Sequence, residues 1–268
     1  MTPLDLVLLA VAGLIGGAVN SIAGGGSLVV FPALMGTGLT PLAANVTNSI
    51  GQLPSYVGGV FGFRSELTGE RHRLPRLVVA SMLGSLVGCV LLLNLPSTVF
   101  NVVVPVLVLL ASGLLAFQQR IKLWAAARAT APVEQAADST GDQPTNRPPV
   151  KVLVGVFVCA IYGGYFGGAL GVILVGALAL LLPDRLRRIN AVKTVISLAV
   201  AAVTVVAFGL FGPVDWIGVA VVAPAALIGG LIGAKIALKV RDDVLRWLVV
   251  VLGIGVGIYL IIRAVRGG

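Results

Sequence analysis

The chain repeats itself, and the repeat is charged on opposite loops. Displaced by 145 positions, residues from about Val7 to Phe117 align with Val152 to Ile262 without a gap. Identities at that offset include Gly26/Gly171, Asn45/Asn190, Phe63/Phe208, Gly84/Gly229, Leu86/Leu231, Gly88/Gly233, Val99/Val244 and Val106-Leu107/Val251-Leu252. Gly36–Leu42 has no base, whereas its counterpart Leu181–Arg188 holds Arg185, Arg187 and Arg188. Arg64–Arg76 carries Arg64, Arg71, Arg73 and Arg76, whereas Gly209–Val221 carries only Asp215. Asn94–Ser97 is neutral, whereas Lys239–Asp243 holds Lys239 and Arg241. Basic loops stay cytoplasmic, so all three swaps fit one arrangement: N-terminus outside, first copy ending inside, second copy ending outside. Two copies of opposite orientation are a transporter architecture. Only Arg263 and Arg266 fall on the wrong side of it.

That argument needs a membrane, and composition supplies one. The chain is 58% hydrophobic, 11% charged and has a mean hydropathy of +1.06, against about 25% charged residues in an average protein. Uncharged runs cover Leu6 to Phe63, Leu77 to Gln119, Val152 to Pro183, Thr194 to Val214, Trp216 to Ala234 and Trp247 to Ile262. About 20 apolar residues cross a bilayer as a helix, so several runs hold more than one crossing. The net charge of +9 is explained by loop orientation and calls for no nucleic acid. Met1–Leu6 carries Asp5 and no base, the wrong charge for a cleavable leader. Cys89 and Cys159 fall inside spans at non-equivalent positions, which suits apolar packing.

The expected fold is an all-α integral membrane protein of two inverted-topology repeats, residues 4–119 and 152–263, joined by a cytoplasmic linker over 120–151. The segments of the first copy are Leu4–Ile22, Leu28–Met35, Ala43–Phe63, Leu77–Leu93 and Val99–Gln119. Those of the second are Val152–Phe166, Val172–Leu182, Asn190–Gly209, Trp216–Leu238 and Val244–Ile262. Orientation demands an odd number of crossings per copy. Five crossings satisfy it, and so do three spanning helices with a Gly-broken re-entrant hairpin or discontinuous helix. Leu28–Met35 and Val172–Leu182 are too short to span upright. The linker opens basic (Arg120, Lys122, Arg128, with Trp124), suited to inner headgroups. It continues as a polar Ala/Thr/Pro/Asp run.

Two constellations carry the chemistry. The first is Asn20-Ser21-Ile22-Ala23-Gly24-Gly25-Gly26-Ser27, matched by Tyr165-Phe166-Gly167-Gly168-Ala169-Leu170-Gly171-Val172. Each glycine costs a helix about 1 kcal/mol relative to alanine, so such a run marks an intended break. A break at membrane depth survives only when buried or lining a cavity. The helix starts that follow, near Ser27 and Val172, present N–H groups suited to an anion. Gly84/Gly88 and Gly229/Gly233, by contrast, are spaced for close helix packing.

The second constellation is Asn45, Asn48, Ser49 and Gln52, one polar face on a span that Asn45 is placed to cap. Asn190, Lys193, Thr194 and Ser197 repeat it, with Asn190 as the equivalent cap. Lys193 stands where the first copy has Asn48. Two roles fit it: snorkelling to the cytoplasmic surface or charge compensation for a substrate. All ten acids lie in loops or at span ends and the single His72 lies in a basic loop. A buried carboxylate relay, a metal site or any other cofactor is therefore not expected. An enzyme would have only His72, Glu66 and Glu70 to work with, and a non-enzymatic role is expected. A gated anion channel could use the same polar residues as a carrier.

Gly16-Gly17-Ala18-Val19-Asn20-Ser21-Ile22-Ala23-Gly24-Gly25-Gly26-Ser27, Phe31-Pro32-Ala33-Leu34 and Ala44-Asn45-Val46-Thr47-Asn48-Ser49 resemble the TauE/SafE family of sulfite and organosulfonate permeases. The second copy fits through Gly163-Gly164-Tyr165-Phe166-Gly167-Gly168-Ala169-Leu170-Gly171 and Asn190-Ala191-Val192-Lys193-Thr194. The resemblance implies a bacterial inner-membrane carrier of small sulfur-containing anions, with its site between the repeats. Binding is expected at Asn20, Gly24, Gly25, Gly26, Ser27, Asn45, Asn48, Ser49, Gln52, Gly167, Gly168, Gly171, Asn190, Lys193 and Thr194. The partners are then the anion and the lipid bilayer, with a homodimer left open.

Overall fold

Glycine and proline decide where so apolar a chain stays helical, and the computed structural model breaks where they fall. It describes residues 1–22, 24–67, 73–120, 123, 148–182, 184, 186–236 and 242–265. Most of the linker lies outside these residues, as do Arg71, His72, Arg185, Lys239, Arg241 and Arg266. The described residues form helices and no strand. The first copy contains α1 (Pro3–Ile22), α2 (Ser27–Gly36), α3 (Pro41–Gly51), α4 (Leu53–Gly62), a 3₁₀ turn (Arg64–Leu67), α5 (Leu74–Asn94) and α6 (Ser97–Ala116). The second contains α7 (Val150–Tyr165), α8 (Leu170–Leu181), α9 (Leu186–Phe211), α10 (Trp216–Ile236) and α11 (Asp242–Val265).

Five helical stretches are long and apolar enough to cross a membrane: Pro3–Ser21, Leu74–Asn94, Val99–Ala116, Arg188–Phe211 and Trp216–Gly233. The protein is therefore a multi-pass membrane protein. With 10 and 12 residues, α2 and α8 rise about 15–18 Å, roughly half the hydrocarbon thickness.

Two expectations are corrected. The span expected over Ala43–Phe63 is two helices, interrupted at Gln52. Pro54 is the cause: it has no N–H to donate and its ring crowds the carbonyl one turn back, at Ile50. The second copy has no proline there, and α9 runs unbroken for 26 residues. Nor do Asn45 and Asn190 cap their helices. Thr40 caps α3, its side chain accepting from the Ala43 N–H at 3.3 Å, and α9 begins at Leu186. Both asparagines are thus interior helical residues rather than caps.

Apolar burial drives little between helices in lipid, so association depends on close packing through small residues. The glycines at i,i+4 spacing do this in both copies. A Cβ on Gly84 or Gly88 would meet the α7 backbone at Phe157 and Ile161. One on Gly229 or Gly233 would meet the α1 backbone at Leu14 and Ala18. Hence α5 packs along α7 and α10 along α1. The same exchange recurs where α6 meets α8 and α11 meets α2. One buried cluster joins the copies, Phe31 and Leu34 packing with Phe166 and Phe208. The Phe31 and Phe166 rings meet edge to face at 5.7 Å. Both cysteines are buried free thiols within it or its neighbour.

Candidate functional site

Both glycine breaks lie at one place. α1 ends at Ile22 and the chain turns through Gly24, whose φ of 82° suits glycine. α7 ends at Tyr165 and turns through Gly167 at φ 73° and Ala169 at φ 54°. The breaks then touch: a Cβ on Gly24 would lie 2.6 Å from the Gly171 Cα, and one on Gly171 the same distance from the Gly24 Cα. Two helix starts thereby face one space, α2 from Ser27 and α8 from Leu170, two residues before the expected Val172. The breaks take up part of each first turn: the Leu28 and Val29 N–H groups donate to the Gly25 and Gly26 carbonyls, and those of Leu170 and Val172 to the Gly167 and Ala169 carbonyls.

Ala169 occupies the repeat position of Gly24 and is left-handed without being glycine. That backbone costs an L-residue about 1–2 kcal/mol. Ala169→Gly is expected to raise the thermal midpoint by the equivalent of up to about 1 kcal/mol, part of the gain being lost to a more flexible unfolded chain. Thermal unfolding in detergent checks this, and a lower midpoint would show that the packing of the buried Ala169 methyl outweighs the strain of the turn.

Ser27 and Leu170 line a cavity of about 20 Å³ together with Ser49, Gln52, Gly167 and Ser197. Gly163, Tyr56, Val200, Ala201 and Thr204 complete the lining. The volume is room for about one water. No side chain of the lining is charged.

Around the cavity, polar groups bond both within the first copy and between the copies. Asn45 Nδ2 donates to the Tyr165 carbonyl at 3.1 Å, reaching from α3 to the end of α7. Asn20 Nδ2 donates to Ser55 Oγ at 2.8 Å, and Ser55 Oγ contacts Gln52 through its carbonyl and Oε1. The Tyr56 hydroxyl interacts with Asn20 and Ser27. Ser21 Oγ donates to the Gly230 carbonyl at 3.0 Å, fixing α1 to α10. Against this, among the described residues four buried polar atoms lack partners: Asn45 Oδ1, Asn48 Oδ1, Gln52 Nε2 and Ser197 Oγ. A buried polar atom left unmade costs about 1–3 kcal/mol, which is tolerable where a ligand or water completes it.

Of the residues expected to bind, Ser27, Ser49, Gln52 and Gly167 line the cavity. Gly24 and Gly171 form its crossing point, and Asn45 and Asn20 hold its walls. Gly25 faces Leu115 of α6, and Gly26 abuts Gly16 of α1. The Gly168 carbonyl accepts from the Tyr162 hydroxyl. Asn48, Lys193 and Thr194 are buried beside the cavity without lining it. Thr194 Oγ1 donates to the Asn190 carbonyl at 2.7 Å, one turn earlier on α9. Lys193 is 4% exposed, so its stem does not lie on the protein surface. Ser197, named with the polar face of the second copy but not among the expected binders, lines the cavity, and so do Tyr56 and Thr204, which the motifs did not single out. The signal for Tyr56 is periodicity alone, since it follows Gln52 by four residues; Ser197 is the repeat equivalent of Gln52.

Comparison with known proteins finds a family and several membrane relatives. Residues 9–260 match the family model described as sulfite exporter TauE/SafE. A probable membrane transporter protein of Haemophilus influenzae is 23% identical over 250 residues, 92% of this chain and 91% of that protein. The probable membrane transporter protein YfcA of Escherichia coli K12 is 24% identical over 255 residues, 94% of this chain and 87% of its own length. No solved structure matches the chain significantly.

Proposed function

Because the chain belongs to the TauE/SafE sulfite exporter family, we propose that this membrane transporter carries small sulfur-containing oxyanions, such as sulfite or organosulfonates, by alternating access between inverted repeats. The observation that carries the reading is the crossing of the two breaks at Gly24 and Gly171, which turns two helix starts toward one small polar-lined cavity. Helix-start N–H groups, amides and hydroxyls bind sulfur–oxygen acceptors without requiring a buried opposite charge. Lys193, buried one turn before Ser197, offers positive charge nearby.

The exchanged packing of α5 with α7 and α10 with α1 supports the inverted relation. So does an ion pair between the basic loops assigned to one side: Arg73 reaches Asp184 at 3.5 Å, and Arg188 reaches the same carboxylate at 3.2 Å. These loops are cytoplasmic, the N-terminus is outside, and the host membrane is the bacterial inner membrane. A cavity of about 20 Å³ is too small for a sulfonate until its walls part, which suits an occluded carrier better than an open pore. The direction is export. An inside-negative potential supplies about 2.3 kcal/mol per charge per 100 mV, enough to drive an anion outward without a proton relay.

Purified protein in liposomes loaded with sulfite is the test. Efflux that saturates, shows counterflow and accelerates when a potassium diffusion potential makes the interior negative is expected. Flux that rises linearly with sulfite and shows no counterflow would replace the carrier by a channel. No flux of sulfite, sulfoacetate or taurine would overturn the substrate class.

A further inference from the structure

The cavity lining divides its hydroxyls and amides unequally between donors and acceptors. Ser49 Oγ donates to the Asn45 carbonyl at 2.8 Å, and Thr204 Oγ1 to the Ala201 carbonyl at 2.9 Å. Both protons are committed to their own helices, so these two oxygens face the cavity as acceptors. Gln52 Nε2 and Ser197 Oγ are different. Both line the cavity, both residues are 1% exposed, and neither atom has a partner. They also stand at equivalent repeat positions, 145 residues apart, one on the Pro-induced break between α3 and α4 and one in the unbroken α9. Donor protons thus enter the space from both halves of the chain.

The charge of the lining is as informative as its donors. The cavity wall is built of Ser, Gln, Tyr, Thr, Gly and aliphatic residues, with no charged side chain; Lys193, buried one turn before Ser197 but outside the lining, brings a single positive charge near it, which matches one negative charge and not two. Dipoles of this kind stabilise one buried negative charge by direct hydrogen bonding. The desolvation cost of an ion grows with the square of its charge, and neutral donors do not grow with it.

Resting on the transport reading above, we infer that this cavity selects singly charged sulfur oxyanions over doubly charged ones, and that Ser197 Oγ and Gln52 Nε2 are the donors that grip the head group from opposite repeats. Ser197 is therefore a specificity-determining residue. In the ligand-free protein its hydroxyl is a buried group without a partner; in the complex it donates to a sulfur-bound oxygen. Removing it leaves the empty protein as stable as before, because no intramolecular bond is lost.

Methanesulfonate and sulfate separate the charge effect cleanly: they share tetrahedral sulfur and outward oxygens but carry one and two charges at neutral pH. Binding of each sodium salt to the detergent-solubilised protein, at constant ionic strength, is read as a shift in thermal midpoint across a concentration series. Methanesulfonate is expected to bind at least about tenfold more tightly than sulfate. Ser197→Ala is expected to weaken methanesulfonate about ten- to hundredfold, the loss of one charge-assisted bond, with the ligand-free midpoint unchanged or higher. Gln52→Glu keeps the side-chain shape, exchanges the donor for an acceptor and should abolish binding. Sulfate binding as tightly as methanesulfonate overturns the selectivity, and unchanged affinity in Ser197→Ala overturns the clamp. A lowered ligand-free midpoint in Ser197→Ala would make the residue structural instead. The liposome assay separates the two readings. Sulfite flux by a protein that fails these binding criteria leaves transport standing and removes this inference, whereas absence of flux for every sulfur anion removes the transport reading itself.

Discussion

Gly24→Ala is expected to destabilise the protein by about 2–5 kcal/mol and to abolish sulfite flux. Two costs combine. The residue sits at φ 82°, a region that charges an L-residue about 1–2 kcal/mol. Its new methyl would also lie 2.6 Å from the Gly171 Cα and 3.0 Å from the Gly171 carbonyl carbon. Both neighbours are backbone, so relief requires α8 to shift, and overpacking of that kind costs about 1–3 kcal/mol more. Gly25→Ala is the internal control. The atoms nearest its methyl would be those of the Leu115 side chain, at 3.1–3.7 Å, a contact that rotamer adjustment can relieve. Thermal midpoints in detergent and liposome flux read both variants. Equal behaviour of the two would mean that the breaks do not touch in the working protein.

Gly171→Ala meets the same contact from the other side but without the left-handed backbone. It should therefore show the steric part of the loss alone, smaller than in Gly24→Ala by about 1–2 kcal/mol. That difference isolates what the turn contributes from what the crossing contributes.

Element types were legible in the sequence wherever hydropathy and glycine speak alone. The breaks before Ser27 and Leu170, the short α2 and α8, and the packing glycines of α5 and α10 all follow from residues that a bilayer restricts severely. The Ala43–Phe63 segment was harder because its break depends on one Pro54 within an otherwise uninterrupted apolar stretch. Copy-to-copy comparison argues for continuity there, since α9 is continuous, and the proline breaks that symmetry. The asparagine caps failed for a related reason. Cap preference describes helix ends, whereas Asn45 is needed inside α3, where its amide crosses to Tyr165. At the site, the polar face of α3 was visible from spacing, but which members line the cavity depends on helix rotation. Asn48 and Ser49 are neighbours, yet only Ser49 reaches it. The proton commitments that distinguish Ser197 from Thr204 have no sequence signal, because both are hydroxyls on one helix and differ only in what lies beside them.

The packing glycines allow the equivalence of the two halves to be tested by energy. A Cβ on Gly88 would lie 2.8 Å from the Tyr165 nitrogen and 3.0 Å from the Gly164 carbonyl carbon. On Gly233 it would lie 2.6 Å from the Ala18 Cα and 2.8 Å from its carbonyl oxygen. In each case one helix of a copy would be pushed from a helix of the other, and backbone cannot yield as a side chain does. Gly88→Ala and Gly233→Ala are each expected to cost about 1–3 kcal/mol. Gly113 and Gly255 lie in α6 and α11 with nothing within 4 Å of an added Cβ. There alanine removes only the helix penalty of glycine, so the midpoint should rise by the equivalent of about 0.5–1 kcal/mol. The opposite signs make the comparison robust to any general effect of added methyl groups on detergent binding. Comparable losses at Gly88 and Gly233 are what two halves related by exchange of neighbours require: α5 depends on α7 as α10 depends on α1. If only one of the two variants lost stability, only one of those seams would hold the protein together. The alternating access proposed above would then be hinged on the other, where contact is weaker and sliding costs less.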